Sequence, residues 1–405
     1  MSTKSEKKPI VLSVEQALAM PYATLRFVHL GFRVIRLEQT PVGDRASRGD
    51  PNRRIGRPVA GDDRHSYFVA PNVGKEAIAV NLKDAAGREV LARLIRELGV
   101  DIFCTNTMPG RHGALGIDYA SLRSVREDLI WCSISAMGIA YPDVPGYDPM
   151  IQALCGYMDL TGEKDGPPLQ CGPPITDLKA GDEAFTQVIL ALYERAITGR
   201  GKMIDISMAH AAASWLQTFL PMLELGSLPE EVRRNGNAHR QFFPVNAYPT
   251  KDGFVYLVVG SDAQWLRLVD QPMFSTLNVP KYATNEGRRK HADELHKAIA
   301  DVTREHITND VMAVLREATV PHSRITPIEE VGNLDFIANT SLSTQTPDGR
   351  SVRLPPPAAA TDHLQAIGGK LPFAPCYGEH TDAVLAEAGF GVTETANLRE
   401  RGVIV

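Results

Sequence analysis

The chain has 405 residues, of which 43% are hydrophobic, so it is long enough to bury a sizeable core and to form more than one lobe. Its 43 basic and 48 acidic residues give a formal net charge of -5, which argues against the clustered positive charge of a nucleic-acid-binding surface. No run of about 18 uncharged apolar residues predicts a membrane span, and the charged opening MSTKSEKKPI lacks the apolar core of a signal peptide. We therefore expect a cytoplasmic protein whose partners are neither nucleic acids nor membranes.

The N-terminal half of the chain alternates short apolar strands with amphipathic helices. A strand from about residue 11, a helix beginning near Pro21 and a strand over 32–38 form a first β-α-β unit. The apolar residues of 84–99 fall on one helical face, and Gly99 predicts the end of that helix. Further strands are predicted at 100–104, 128–135 and 203–206, and further helices at 119–123 and 181–198. This alternation predicts an α/β fold with a parallel sheet that helices cover on both faces.

A different pattern begins after Leu225. The turn Asp252-Gly253 separates two strand-like runs and predicts a β-hairpin. Helices are predicted at about 262–273, 287–305 and 309–318. Thr308 is predicted to cap the last of them. We interpret 226–320 as a smaller α+β domain.

Sequence motifs of the common catalytic folds are absent. The chain has no GxSxG, no P-loop, no HExxH and no GxGxxG after its first strand. Its five cysteines are scattered and form no CxxC pair, so neither a disulfide framework nor a zinc site is expected. The chemistry is therefore sought in carboxylates and glycine-rich turns, without a metal.

The segment 145–181 carries the most specific pattern in the chain. It contains PGYD at 145–148, QALCG at 152–156, LTGEKDGPP at 160–168 and PITDLKAG at 174–181. In this order, the motifs resemble those of the family III CoA-transferases, the group that contains formyl-CoA transferase and carnitine CoA-transferase. Weaker matches extend the resemblance over nearly the whole chain, from VLSVEQALAMPYAT at 11–24 to GEHTDAVLAEAGF at 378–390.

The resemblance implies that Asp177 is a nucleophile, which attacks an acyl-CoA thioester and passes through an anhydride to an aspartyl-CoA thioester. Acyl exchange between a thioester and a carboxylic acid is nearly thermoneutral, so dividing it into covalent half-reactions is sufficient for catalysis. At a helix N-terminus, the carboxylate is expected to be ionised. The alternative is that Asp177 only caps the helix that begins after it.

Two further catalytic residues follow from the resemblance. Gly236, in Asn235-Gly236-Asn237, matches a loop of the smaller domain that covers the nucleophile, and its backbone N–H groups would stabilise an oxyanion. An ordinary turn is the alternative for this stretch. Tyr147 is expected to donate a hydrogen bond to the aspartyl carbonyl.

The resemblance also implies that CoA, carried by an acyl-CoA substrate, binds across the large domain. The residues that correspond by position to its contacts are Leu18, Arg36, Arg45, Asn72, Lys75, Asn106 and Asp148. Lys and Arg suit phosphate groups as a point charge and a planar fork, respectively. Two positions depart from the family pattern, because Glu76 stands where a basic residue is common and Thr107 where an aromatic residue is common.

Two other functions are open. The α-methylacyl-CoA racemases share the fold and use a His-Asp segment as one base, where this chain has Tyr147-Asp148. A Tyr, with an unperturbed pKa of about 10, is a poor base at neutral pH, which favours CoA transfer. The second alternative is a catalytically silent subunit that binds CoA or stabilises a partner, and the presence of Asp177 counts against it.

The architecture implied by the resemblance is a large Rossmann-like domain made of 1–225 and 321–405, with the smaller domain 226–320 between them. Members of the family form interlocked dimers. A homodimer, or a heteromer with a homologous subunit, is therefore expected.

Two segments, SVEQALAMPYAT and APNVGKEAIAVNLK, bear on the identity of the acceptor acid. They resemble the branch that acts on substituted succinates, such as the benzylsuccinate CoA-transferase subunits, with succinyl-CoA as donor. An aryl acceptor needs an apolar pocket, and Tyr22, Phe242 and Phe243 are either its walls or core aromatics. The candidates for binding a second carboxylate are Arg234, His239 and Arg240.

Overall fold

The computed structural model describes residues 8–41 and 49–405. Arg45, one of the expected CoA contacts, lies outside the described residues. The chain divides into two compact units, of which the first comprises Met1–Cys155, Gly172–Gln217 and Asp335–Val405, and the second Gly156–Cys171 and Thr218–Leu334. The domain limits expected from the sequence, 1–225, 226–320 and 321–405, stay a prediction.

The regular elements are numbered along the chain. The strands are β1 (Ile10–Val14), β2 (Arg33–Glu38), β3 (Pro58–Ala60), β4 (Arg64–His65), β5 (Glu76–Ala79), β6 (Ile102–Thr105), β7 (Ile130–Ser135), β8 (Met203–Ser207), β9 (Val245–Thr250), β10 (Gly253–Val258), β11 (His322–Arg324), β12 (Leu342–Gln345) and β13 (Ser351–Leu354). The α-helices are α1 (Ala19–His29), α2 (Ser66–Asn72), α3 (Ala85–Leu98), α4 (His112–Leu115), α5 (Tyr119–Val125), α6 (Asp148–Leu154), α7 (Tyr157–Leu160), α8 (Ile175–Thr198), α9 (Met208–Ser214), α10 (Leu220–Glu224), α11 (Pro229–Val232), α12 (Asp262–Val269), α13 (Asn285–Lys290), α14 (Ala292–Thr303), α15 (Thr308–Glu317), α16 (Ile328–Val331), α17 (Asp335–Ala338), α18 (Asp362–Ala366), α19 (Thr381–Glu387) and α20 (Val392–Glu400). Short 3₁₀-helices lie at Pro51–Arg54, Pro109–Arg111, Pro272–Leu277 and Pro280–Tyr282.

The first unit is built on a six-stranded sheet in the order β5-β2-β1-β6-β7-β8. All its strand pairs are parallel, and Leu12 lies between Ile35 on one side and Phe103 on the other. Numbered within the sheet, this order is 3-2-1-4-5-6, the order of the Rossmann fold. The predicted α/β class with a parallel, Rossmann-like sheet is confirmed.

The order of strands reverses between β1 and β6, which defines the switch point of the sheet. In open α/β sheets, ligands bind outside the carboxyl ends of the strands at such a point, because the connections leave in opposite directions and open a crevice there. The turn that follows β1 and the residues after β6 therefore lie where a ligand is expected.

The second unit has its own antiparallel sheet, in the order β11-β10-β9. β9 and β10 pair across the turn at residues 251–252, so the predicted hairpin is confirmed. The core of this unit packs α12, α14 and α15 with the sheet around fully buried side chains, among them Trp265, Phe274 and Leu295.

Several helix limits differ from the sequence-based prediction, since partners distant in the chain set them. α8 begins at Ile175 instead of residue 181, because Asp148 binds the amides of its first turn. Thr308 is the first helical residue of α15 instead of its cap, and its N–H donates to Asp252 Oδ1 at 2.7 Å. The helix predicted over 287–305 is interrupted at His291, whose backbone is not helical.

Candidate active site

Asp177 lies in the first turn of α8, directly after Pro173-Pro174. A proline just before a helix lacks only an N–H that would have no helical partner, so this sequence is suited to a helix start. The carboxylate of Asp177 does not cap the helix, so the capping interpretation is wrong. In the described chain, this carboxylate accepts no hydrogen bond.

The cap comes from Asp148, which lies in the first turn of α6 and is almost completely buried. Its Oδ1 accepts hydrogen bonds from Thr176 N at 2.7 Å, from Thr176 Oγ1 at 2.7 Å and from Asp177 N at 3.3 Å. Its Oδ2 accepts from Gln152 Nε2 at 2.6 Å. These hydrogen bonds fix the Asp148 carboxylate at the N-terminus of α8, directly beside Asp177.

Burial raises the pKa of Asp177 to about 7, and the charge of Asp148 adds to the effect. The expectation of a fully ionised carboxylate is corrected, because loss of water and a neighbouring anion both disfavour the charged form. At neutral pH, Asp177 is divided between its two protonation states. Its ionised form is a carboxylate with little hydration, which suits a nucleophile.

Tyr147 precedes α6 as its N-terminal flanking residue, and 71% of its surface is exposed. It is next to Gly146, where an added Cβ would lie 2.5 Å from the Cβ of Ala136. Glycine is therefore required at 146 for the PGYD segment to approach the end of β7. The segment presents Tyr147 to solvent and turns Asp148 inward.

Helices α1 and α8 approach each other closely at Gly181. A Cβ there would lie 2.7 Å from Tyr22 Cδ1 and 2.8 Å from Ala19 O. Burial is the main cause that raises the pKa of Tyr22, and the charge of Asp182 adds to the effect. Tyr22 is thus part of this helix packing, which supports its interpretation as a core aromatic.

The turn after β1 meets Asn106, the first residue after β6, at the switch point. Gln16 N donates to Asn106 Oδ1 at 3.0 Å, and Asn106 Nδ2 donates to Gln16 O at 2.7 Å. Leu18, another expected CoA contact, is the residue that flanks α1 at its N-terminus. Leu18 and Asn106 therefore follow the carboxyl ends of β1 and β6, next to the switch point where a ligand is expected.

Arg36, Asn72 and Lys75 are placed differently, since all three are buried in the described chain. Lys75 Nζ lies 2.8 Å from Glu15 Oε1, and burial lowers the pKa of Lys75 to about 8. Arg36 donates to Asn72 Oδ1 and to Asp50 Oδ2, the latter at 3.0 Å. The three residues belong to one internal network of hydrogen bonds and ion pairs, and their contact with CoA stays a prediction.

Sequence reasoning missed three polar members of this network, Glu15, Glu38 and Asp50, which are almost completely buried. Asp50 had a signal of its own, because Asp-Pro-Asn is a common helix start and Asp50 Oδ1 accepts from Asn52 N at 2.9 Å. The sequence carries no such signal for Glu15 and Glu38. A carboxylate at the end of a strand is expected to be exposed, and only the fold reveals the buried cation that pairs with it.

Gly236 lies in the second unit and has a left-handed backbone, with φ 56°. Its N–H donates to Gly162 O at 2.8 Å, and a Cβ at this position would lie 2.7 Å from Glu163 Oε2. The left-handed backbone favours glycine here, whereas the Glu163 carboxylate is the end of a flexible side chain that could move aside. The hydrogen bond to Gly162 O holds the loop 235–237 against the segment that contains the LTG motif.

Two general features of the described residues concern metal ions and membrane spans. Within residues 8–41 and 49–405, no group of three or more His, Cys, Asp or Glu side chains is arranged to hold a metal ion. In the same part of the chain, no helix has the length and apolar character needed to cross a membrane.

Comparison with known proteins identifies the family. The model of the family described as "CoA-transferase family III" matches residues 9–381. Human succinyl-CoA:glutarate CoA-transferase is 28% identical over 93% of this chain and 84% of its own length. The succinate--glutarate CoA-transferase of Agrobacterium fabrum is 31% identical over 79% of this chain and 80% of its own length.

A solved structure agrees with the match. The crystal structure of a CAIB/BAIF family protein from Brucella suis is 29% identical in sequence and superposes with a TM-score of 0.80, over 94% of this chain and 98% of that one. The predicted family is confirmed by both kinds of likeness. The chain belongs to CoA-transferase family III and is an enzyme that transfers CoA between an acyl-CoA and an acid.

Proposed function

We propose that the enzyme transfers CoA from succinyl-CoA to a dicarboxylic acid of the substituted-succinate class, such as benzylsuccinate, through covalent intermediates on Asp177. The observation that carries this proposal is that two neighbouring acids, Asp148 and Asp177, have different roles. Asp148 caps α8 and holds the first turn in place, while the Asp177 carboxylate has no hydrogen-bond donor among the described residues and a pKa of about 7. An acid in such a state is suited to covalent catalysis.

The reaction is a sequence of acyl exchanges. The carboxylate of Asp177 attacks the thioester carbon of the donor, the C–S bond breaks, and a mixed anhydride forms as CoA leaves as a thiolate. The thiolate attacks the aspartyl carbonyl, which releases the donor acid and forms the aspartyl-CoA thioester. The acceptor carboxylate then repeats both steps in reverse, so Asp177 is regenerated without net proton transfer or oxidation.

Other groups are assigned to this sequence by their positions. Tyr147, exposed next to Asp148, is proposed to donate a hydrogen bond to the aspartyl carbonyl. The loop that contains Gly236 is proposed to stabilise the oxyanion through backbone N–H groups other than that of Gly236, which already donates to Gly162 O. CoA is proposed to occupy the crevice at the switch point, between Leu18 and Asn106. We propose that the enzyme works as an interlocked dimer.

The dicarboxylic acceptor is supported by the names of the relatives, which pair succinyl-CoA or succinate with glutarate. Among the three candidates for the second carboxylate, Arg234 already pairs with Asp159 at 3.1 Å. His239 Nδ1 accepts from two backbone amides. Arg240 donates only to backbone carbonyls and has no carboxylate within 4 Å among the described residues. Arg240 is therefore the residue best suited to bind it.

The test is whole-protein mass spectrometry after incubation with succinyl-CoA, followed by hydroxylamine, which converts an aspartyl thioester into a hydroxamate. We expect the hydroxamate to map to Asp177 and to be absent from Asp177→Ala. Asp182→Ala is the control, since it removes a carboxylate from the same helix that pairs with Arg26.

Two results contradict the proposal. If an acyl-CoA exchanges its α-proton with deuterated water and no adduct forms, the enzyme acts as a racemase. If CoA binds but neither adduct nor exchange is found, the chain is a binding subunit.

A further inference from the structure

The turn between β1 and α1 has a backbone conformation that its sequence does not favour. Ala17 has φ 60°, in the left-handed region that residues with a Cβ rarely adopt. The turn lies at the carboxyl end of β1, at the switch point of the sheet. Such a conformation persists only where surrounding groups hold it, and it is common at ligand sites.

Three side chains hold the backbone of this turn. Asp50 Oδ1 accepts from Ala17 N at 3.2 Å, and Asn52 Nδ2 donates to Ala17 O at 3.1 Å. Asn106 binds both the N–H and the carbonyl of Gln16. The N–H and C=O groups of two successive residues are thus all paired with side chains from elsewhere in the fold.

A buried network holds Asp50 in turn. Its Oδ2 accepts from Arg36, and its own N–H donates to Glu38 Oε1 at 2.9 Å. Arg36 is linked through Asn72 to Lys75, which pairs with Glu15 at the start of the same turn. The side chains of these charged residues are 0% to 1% exposed, so they bear on a ligand in the crevice only through the groups that they hold.

We propose that Asp50 and Asn52 are positioning residues for CoA binding, which hold Ala17 in its left-handed conformation so that the turn 16–18 presents one fixed surface to the thioester. This inference rests on the proposed function, in which CoA occupies the switch point. It gives the buried charges a role: Arg36, Asn72 and Lys75 fix the orientation of Asp50 and Glu15 from inside the fold. A fixed turn pays less ordering entropy on binding than a mobile one.

Asn52 is the position at which to test the proposal, because it is half-buried and its amide contacts the turn from the edge. Loss of one hydrogen bond that fixes the turn is expected to weaken CoA binding about three- to ten-fold in Asn52→Ala, measured by isothermal titration calorimetry. The control is Asn81→Ala, which removes a comparable side-chain contact, to Lys83 N at 3.1 Å, in the turn after β5. Both variants are compared at a temperature at which thermal scans show them folded.

A second substitution separates positioning from direct contact. Glycine adopts a left-handed backbone as readily as a right-handed one, so Ala17→Gly lowers the cost of holding the turn. The double variant Asn52→Ala/Ala17→Gly is therefore expected to regain much of the lost affinity. Hydrogen exchange of the amides in 14–20 is expected to be faster in Asn52→Ala than in the wild type and in Asn81→Ala.

The outcomes are distinct. Wild-type affinity in a folded Asn52→Ala overturns the positioning role and leaves the proposed function standing. The positioning role is also overturned if Asn52→Ala weakens CoA binding, Ala17→Gly does not restore it and hydrogen exchange is unchanged. Asn52 would then affect binding without fixing the turn. A wild-type protein that does not bind CoA overturns both this inference and the proposed function.

Discussion

The amide nitrogen of Asp177 lies 3.3 Å from the carboxylate Oδ1 of Asp148. One acid therefore completes the N-terminus of α8, while the other is left with a raised pKa in the same turn. Had Asp177 capped its own helix, its oxygens would be occupied by backbone amides and its pKa lowered instead. Separating the cap from the proposed nucleophile is what makes Asp177 available for reaction.

The rate of adduct formation is expected to rise with pH and to reach half of its maximum near pH 7. Asp177, whose pKa is about 7, must be ionised to attack, and lowering the pH protonates it. Rapid-quench mass spectrometry over pH 5–9 measures this profile. A rate that does not change across this range contradicts the assignment of Asp177 as the nucleophile.

Asp148→Asn is expected to move this profile to lower pH. The substitution removes the negative charge beside Asp177 but keeps an oxygen that can accept the hydrogen bond from Thr176 N. The shift is expected to be partial, because burial, which the substitution leaves in place, is the larger cause of the raised pKa. A profile displaced to higher pH would show that Asp148 does not act through its charge.

Asp177→Asn is expected to raise the free energy of unfolding at pH 8 by roughly 2 kcal/mol. This is about half of what the difference between the folded and unfolded pKa values of Asp177 would give without screening by solvent. The pKa is about 7 in the folded state, against an ordinary value of 3.8, so the folded protein binds the extra proton. Stability from this group is therefore lost as the pH rises from about 4 to 7. Urea unfolding at pH 8 and pH 4 measures the gain, which should vanish at pH 4.

Ala17→Gly alone is expected to stabilise the protein by about 0.5–1 kcal/mol, since glycine relieves the left-handed strain. Ala313→Gly, in the interior of α15, is the control and is expected to destabilise by about 1 kcal/mol. Urea unfolding compares the two. The same sign for both changes would mean that the backbone at Ala17 is not strained in solution.

Lys75→Met is expected to cost about 3–5 kcal/mol, because it leaves the Glu15 carboxylate buried without its cation. Lys202→Met removes an ion pair of the same length, 2.8 Å, to Glu194 at the surface, and is expected to cost less than about 1 kcal/mol. Equilibrium unfolding measures both variants. Adding Glu15→Gln to Lys75→Met should recover part of the loss, and equal costs for the two lysines would contradict the prediction.

Arg240→Gln is expected to raise the KM for a dicarboxylic acceptor by about ten-fold or more, because a charge-assisted contact with the second carboxylate is lost. The KM for a monocarboxylic acid should stay unchanged. Arg316→Gln, at the exposed end of α15, is the control. Equal changes for both kinds of acid would assign Arg240 to the structure of its loop and not to acceptor recognition.

The sequence by itself determined the class of fold, the family and the residue proposed as the nucleophile. Alternating strands and amphipathic helices predict a parallel sheet through local periodicity, and the order of the motifs from PGYD to PITD is a property of the chain alone. The hairpin at residues 251–252 was also within reach, because the geometry of a short turn depends on two residues.

Only the tertiary structure decided how the polar groups are paired. Asp148 and Thr176 are 28 residues apart in the chain, and no local rule assigns the cap of α8 to Asp148. The resemblance implies that Lys75 and Arg36 contact CoA, and the structure buries each of them against a carboxylate contributed by another segment. The periodicity of helices and strands is a local property of the sequence, so it can be recognised without the fold. The burial and the pKa of a side chain depend on neighbours that folding brings together, and the chemistry of this site depends on these neighbours.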